Sequence, residues 1–238
     1  MKFKFKIQDY QTEAVNAVVK VFDGQPFNDR VSYLRDVGNR AKQQVAMGER
    51  EDDNGFGNAQ IELPDSALLD NIRALQLSNN IKQSGALSKP FGNSCRCALD
   101  IEMETGTGKT YCYIKTMFEL NKQYGWSKFI VVVPSIAIRE GVKKSFEVME
   151  DHFFEYYGKK ARYFVYNSKN LNQLDSFSSS KDINVMIINS QAFASSLKEG
   201  AKNEAARIIY SKQDSFGSRR PIDVISANRP IVILDEPH

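Results

Sequence analysis

The residues best suited to chemistry in this chain form one run, Met103-Glu104-Thr105-Gly106-Thr107-Gly108-Lys109-Thr110. Its last three letters, GKT, are those of a phosphate-binding loop. Glycines let backbone N–H groups turn inward around phosphate oxygens, and a helix starting there adds its positive N-terminal end. On this reading Thr105, Gly106, Thr107 and Gly108 form the cradle and Lys109 neutralises the β- and γ-phosphates. The Thr110 hydroxyl binds Mg²⁺. Met103 stands where the G-x-x-x-x-G-K-T pattern has its first glycine. A glycine-rich turn with an incidental lysine is the plain alternative. The context weighs against it, because a strand candidate precedes the loop and Tyr113, Ile114, Met117 and Phe118 give the next segment a helical face.

A second constellation closes the sequence. Ile231-Val232-Ile233-Leu234-Asp235-Glu236-Pro237-His238 sets two acids at the end of an apolar run. In a parallel sheet, ligands sit at the carboxyl ends of strands, so both motifs can face one crevice. Asp235 is then expected to hold the Mg²⁺, and Glu236 to orient and activate the water that attacks the γ-phosphate. Alone, the pair would be an ordinary solvated strand end. Together with the glycine loop it implies ATP binding with hydrolytic capacity. Cys95, Cys97 and Cys112 make no disulfide framework, and Cys95-x-Cys97 is too close for the usual zinc spacing. They read as reduced thiols of an intracellular protein.

The elements that must position these residues can be read from periodicity. Phe129–Val133, Val185–Ile188 and Ile231–Leu234 are continuous apolar runs, as suits strands buried on both faces. Ala98–Met103 and Tyr163–Tyr166 are weaker strand candidates. Helical stretches fall near 109–124, 137–151, 190–210 and 221–227. This alternation predicts an α/β fold with a mainly parallel sheet flanked by helices. Upstream, residues 9–22 form an amphipathic helix that Asp9 can cap. Met1–Ile7 alternates lysine with apolar residues, as a strand with one solvated face would. Residues 24–96 read as a peripheral, partly helical insertion, with a helix from about Pro64 to Lys82. Aromatic residues around Phe153-Phe154 and Tyr156-Tyr157 read as core. The 42% hydrophobic and 26% charged content excludes a disordered tail, and the net charge of +3 does not by itself argue for nucleic acid. No apolar run approaches the length of a membrane-spanning helix.

Glu102–Thr110 and Asp235–His238 resemble motifs I and II of superfamily 2 helicases. The wording METGTGKT with DEPH is similar to the Res subunit of Type III restriction–modification enzymes. Supporting stretches are Phe118–Lys122 with Tyr124-Gly125, Val133–Val142 and Ile187–Phe193. The resemblance runs from about residue 99 to 238, is thinner at the amino terminus, and is carried little by 24–95.

What the resemblance implies can be placed residue by residue. The fold is a RecA-like P-loop lobe over 97–238, with an adenine-recognition segment over 1–23. Gln11 stands where these helicases read the adenine edge, the alternative being an exposed polar residue at a helix start. Ser135 and Arg139 fall in a motif that touches the DNA backbone, and Ser190 in a second. Helix caps at Ser135 and Ser190 and a solvated Arg139 are the alternatives. His238 stands where such motors couple nucleotide state to a second lobe. The implied cofactors are ATP and Mg²⁺, and the partners are double-stranded DNA and a modification (methyltransferase) subunit, with no membrane. A Type I restriction motor, a repair helicase, or a lobe acting only as a binding module are the other readings. A RecA-like lobe normally continues past this motif, so the chain is expected to be an incomplete first lobe. The second lobe with its arginine finger, and the nuclease domain, are expected elsewhere.

Overall fold

A computed structural model describes residues 5–38, 54–90, 92, 95–193 and 204–236. Contacts gather the chain into two units, Met1–Asn28 with Gln60–Tyr124, and Asp29–Ala59 with Gly125–His238.

The first unit holds helices α1 (Asp9–Lys20), α2 (Asp65–Ser78) and α3 (Lys109–Tyr124). Val15 and Val19, four apart and so on one face, are buried in α1, as are Ile114, Met117 and Phe118 in α3, and the two helices pack together. The Tyr124 hydroxyl donates to Val19 O at 3.0 Å and its ring meets Phe22 edge-on, which ties the far end of α3 to α1. Asn71 of α2 donates to Val21 O and Asp23 O, pairing carbonyls of the turn that follows α1. Three expectations change here. Gln8, not Asp9, holds the N-cap of α1, and Asp9 is its first helical residue, where a carboxylate still suits the dipole. Phe5–Ile7 form no strand, since Phe5 stacks on Tyr111 instead of meeting a ladder partner, and residues 1–4 lie outside the described ones. Ala98–Met103 runs without regular structure into the glycine loop. Asp100 and Glu102 interrupt its apolar residues, Ile101 is 54% exposed, and no strand pairs with it among the described residues.

In the second unit, β1 (Ser32–Leu34) and β2 (Asn54–Phe56) form an antiparallel pair. There follow β3 (Lys128–Val133), α4 (Ile136–Tyr157), β4 (Arg162–Val165), α5 (Asn172–Ser179), β5 (Asn184–Asn189), α6 (Ser190–Phe193), α7 (Glu204–Tyr210), α8 (Pro221–Ala227) and β6 (Ile231–Leu234). The strands of this second set make one parallel sheet in the order β4-β5-β3-β6, with Val133 opposite Asn189 and Val132 opposite Leu234. Every residue of β3 is buried, as its unbroken apolar run requires. One face of the sheet, Ile130 and Val132 with Met186 and Ile188, joins Leu174, Phe177, Phe216 and Ile225 in a single core cluster. Phe129, Val185 and Tyr163 share the other face by register, and Phe146 of α4 stacks on Tyr163 with centroids 5.0 Å apart. The expected 190–210 helix is observed as α6 and α7, residues 194–203 lying outside the described ones. Of the aromatic group on α4, Phe153 is core, whereas Phe154 and Tyr156 are 47% and 60% exposed.

Helix α5 has no counterpart in the sequence pattern, because Asn172-Gln173-Leu174-Asp175-Ser176-Phe177-Ser178-Ser179 is poor in helix formers. Burial of Leu174 and Phe177 supplies what propensity lacks. A fully buried lysine closes its carboxyl end: Lys128 Nζ donates to Phe177 O and Ser180 O and lies 5.2 Å from the Phe177 ring centroid. Residues 36 and 58 are tied into the same unit by side chains that satisfy buried backbone. Asn58, 3% exposed, accepts from Ser127 N and Lys128 N at 2.8 and 2.9 Å. Its amide donates to Lys128 O and Arg229 O at 2.8 and 3.0 Å. Arg219 grips Asp175 bidentately at 2.8 and 3.0 Å and donates to Asp36 O.

Two stability outcomes are expected. Asn58→Ala strips partners from two buried N–H groups and two carbonyls, and should cost about 2–5 kcal/mol. Urea unfolding should show this as a lower midpoint at unchanged slope. Burial pushes the Lys128 ammonium down to about 7, Asp182 pulling the other way. The unfolded chain holds that proton to about pH 10.4. Unfolding therefore takes up a proton between these values, and stability should rise with pH from about 7 to about 10. Lys128→Met should flatten that rise in urea midpoints measured across the window.

Candidate functional site

The glycine loop belongs to the first unit. From Glu104 the chain turns tightly: Thr107 Oγ1 donates to Glu104 O at 2.6 Å, and Gly106 and Gly108 have φ of +82° and +91°. Side-chain-bearing residues rarely adopt these angles, so both glycines are needed for the backbone to curl. The curl ends where Lys109 and Thr110 open α3, a helix of 16 residues. Cys112 N donating to Gly108 O at 3.0 Å is its first turn. The opening N–H groups of a helix have no intrahelical acceptor, and the dipole there favours an anion. The residues therefore fit a phosphate chain: small curled backbone, a cation and a hydroxyl at the start of a helix.

Gln11 and Tyr10 close on this loop from α1. Gln11 Nε2 donates to Thr107 O at 2.9 Å, and the Tyr10 hydroxyl donates to the same carbonyl at 3.1 Å. A Cβ on Gly108 would stand 2.5 Å from Gln11 Nε2. Gln11 is thus brought to the loop as a contact of its backbone, and only Gly108 leaves room for it. Tyr10 shares the role, which no sequence pattern signals.

The other expected residues belong to the second unit, at the carboxyl edge of its sheet. The ladder between β3 and β6 continues one step beyond the strand, Asp235 N donating to Val132 O at 2.9 Å. Glu236 follows with φ of +53°, a left-handed conformation that costs a non-glycine residue about 1–3 kcal/mol. Strain of this kind gathers at functional positions, and here it falls on an exposed acidic residue just after β6. Pro237 and His238 lie outside the described residues. Ser135 is the N-cap of α4, its Oγ accepting from Ile138 N at 3.3 Å, while the hydroxyl proton remains a donor. Ser190 opens α6, beside Asn189. Arg139 is not simply solvated: Nη1 donates to Asn189 Oδ1 at 3.2 Å, and Nε and Nη2 donate to Glu140 Oε1 at 3.1 and 3.0 Å. Asn189 and Glu140 are contacts of Arg139 that sequence reasoning missed. Only the register, which sets Asn189 opposite Val133 three residues before α4 begins, reveals the first of them. The three cysteines are free thiols, and burial beside Cys95 pushes Cys97 up to about 11, away from reactivity.

A family model described as Type III restriction enzyme, res subunit, matches residues 4–238. The chain is 32% identical over 201 residues to the Type III restriction-modification enzyme EcoP15I Res subunit of Escherichia coli, covering 77% of this chain and 20% of that protein. Against the EcoPI Res subunit of Escherichia phage P1 it is 28% identical over 193 residues, 76% of this chain and 19% of the other. Against the StyLTI Res subunit of Salmonella typhimurium strain LT2 it is 35% identical over 158 residues, 59% and 15%. The chain spans about a fifth or less of the length of these relatives. Among the described residues no helix is long and apolar enough to cross a membrane.

The loop geometry separates the two glycines. At Gly106 an added Cβ meets open space, so Gly106→Ala imposes backbone strain alone; Gly108→Ala adds the clash with Gln11. Titration with a fluorescent nucleotide should show Gly108→Ala losing more affinity than Gly106→Ala, because the Gln11 amide must also move aside. Equal losses would show that the Gln11 contact does not shape the loop.

Proposed function

The chain belongs to the Res-subunit family of Type III restriction enzymes, and from that premise we propose that it is the N-terminal ATP-binding motor lobe of such a subunit. The lobe couples ATP hydrolysis to DNA translocation and, in the whole enzyme, to DNA cleavage. The observation that carries this reading is the pair of positive-φ glycines set directly before a helix whose first residues are Lys109 and Thr110. Backbone N–H groups of Thr105–Thr110 hold the phosphates, and Lys109 neutralises their charge. Gln11 Nε2 donates to Thr107 O and to the Tyr10 hydroxyl, and its Oε1 is the acceptor offered to the adenine edge. Thr110 and Asp235 are the residues that would hold Mg²⁺, which when bound offsets the charge developing on the transferred phosphoryl group. Glu236 orients the attacking water and accepts its proton.

Ser135, Arg139 and Ser190 contact the backbone of double-stranded DNA. The division by role is 1–23 for adenine recognition, 24–96 for the insertion and 97–238 for the lobe. The full enzyme acts with a modification (methyltransferase) subunit in the cytoplasm, a second lobe supplying the arginine finger. The chain by itself binds Mg·ATP weakly and hydrolyses it poorly.

Saturating Mg·ATP should raise the melting temperature of the chain, because a ligand held only by the folded state stabilises it. Lys109→Ala should abolish the shift, and slow turnover in wild type should fall to background in the same variant. No shift in wild type, or an equal shift in Lys109→Ala, would contradict the site. Binding of DNA with no nucleotide shift would favour a binding module instead.

A further inference from the structure

The guanidinium of Arg139 is engaged by two side chains, Glu140 and Asn189. A guanidinium grips a phosphate or carboxylate best along one edge, with two parallel N–H donors. In this structure the Nε–Nη2 edge of Arg139 is taken by Glu140 Oε1, and Nη1 is held separately by Asn189 Oδ1. Asn189 therefore orients the fork without consuming the edge that an anion would use. The arginine is a quarter exposed, its acid partner 55% exposed.

The usual reasons for such a pair do not apply. Residues i and i+1 of a helix do not face each other, so Arg139 and Glu140 are not a helix-supporting pair of the i, i+4 kind. Glu140 is the fifth residue of α4, beyond the first turn where a carboxylate gains from the helix dipole. A pair this exposed adds little to stability and is easily broken. Its effect is on what Arg139 can hold.

We propose that Glu140 is an intramolecular surrogate for a DNA phosphate, holding the binding edge of Arg139 until a backbone phosphate displaces it, with Asn189 as the residue that keeps the guanidinium in position. This rests on the reading of Arg139 as a DNA contact. The carboxylate sets a threshold: duplex must outcompete it, so weak encounters are rejected and the surface stays neutral when no DNA is present. Asn189, on a sheet strand, keeps the arginine pointed as the partners exchange.

The test is a double-mutant cycle read by anisotropy of a labelled duplex of arbitrary sequence, with thermal melting to verify folding. Glu140→Gln should tighten binding by about two- to fivefold, the range that releasing an exposed ion pair allows. In an Arg139→Ala background the same substitution should change nothing. Asn189→Ala should weaken binding, and should do so in the Glu140→Gln protein too. Tightening of equal size in both backgrounds would reduce Glu140 to an ordinary surface charge and overturn the proposal, as would no tightening in the presence of Arg139. If Arg139→Ala alone left binding and its salt dependence unchanged, the reading of Arg139 as a DNA contact would itself fail.

Discussion

One buried carboxamide sets the geometry on which the second unit depends. Parallel strands cannot be joined by tight hairpins, so their amino-terminal ends must be aligned by something other than a turn. Asn58 does this by acting as a short piece of strand. Its oxygen accepts from the two N–H groups that open β3, and its amide bridges the carbonyls of Lys128 and Arg229, where β3 begins and β6 is about to begin. With the amino ends of neighbouring strands held at one end, the register places Val133, Asn189 and Leu234 together at the other. That end carries Ser135, Arg139, Ser190 and the Asp235-Glu236 pair. Lys128 extends the same economy: its backbone serves Asn58, and its buried ammonium closes α5.

The candidate groups are held by polar contacts and not by packing. In the first unit, Thr107 O draws both Tyr10 and Gln11 onto the glycine loop, so the loop is curled before any nucleotide enters. Glycine is required there for conformation at one position and for conformation and space at the next. In the second unit, Glu236 is set by a left-handed backbone and Arg139 by two side-chain acceptors. Preorganisation of this kind lowers the ordering cost when a ligand arrives.

How much of this is legible in the sequence depends on the range of the interaction. The runs 129–133 and 185–188 are continuous because their strands are buried on both faces. The run 231–234 joins the same parallel sheet, but contrary to expectation one face of it is open, Val232 and Leu234 being 53% and 51% exposed. Helices 109–124 and 221–227 match because local signals mark them, an apolar face in one and Pro221 at the first turn of the other. The glycine loop is legible because its chemistry is local. Helix α5 is not, since its serines oppose helix and only distant partners, Lys128 among them, stabilise it. Ala98–Met103 fails in the opposite sense, being apolar enough to suggest a strand but lacking a ladder partner among the described residues. The Arg139–Asn189 bond spans 50 positions and two strands, and nothing in either local sequence announces it.

An experimental structure with a non-hydrolysable ATP analogue and Mg²⁺ would decide whether the curled loop and the start of α3 form a nucleotide phosphate site. The account predicts phosphate oxygens within hydrogen-bond distance of the N–H groups following Thr105, Lys109 Nζ on the terminal phosphates, and the metal about 2.1 Å from Thr110 Oγ1. An analogue bound elsewhere, with the loop 105–108 unengaged, would contradict it.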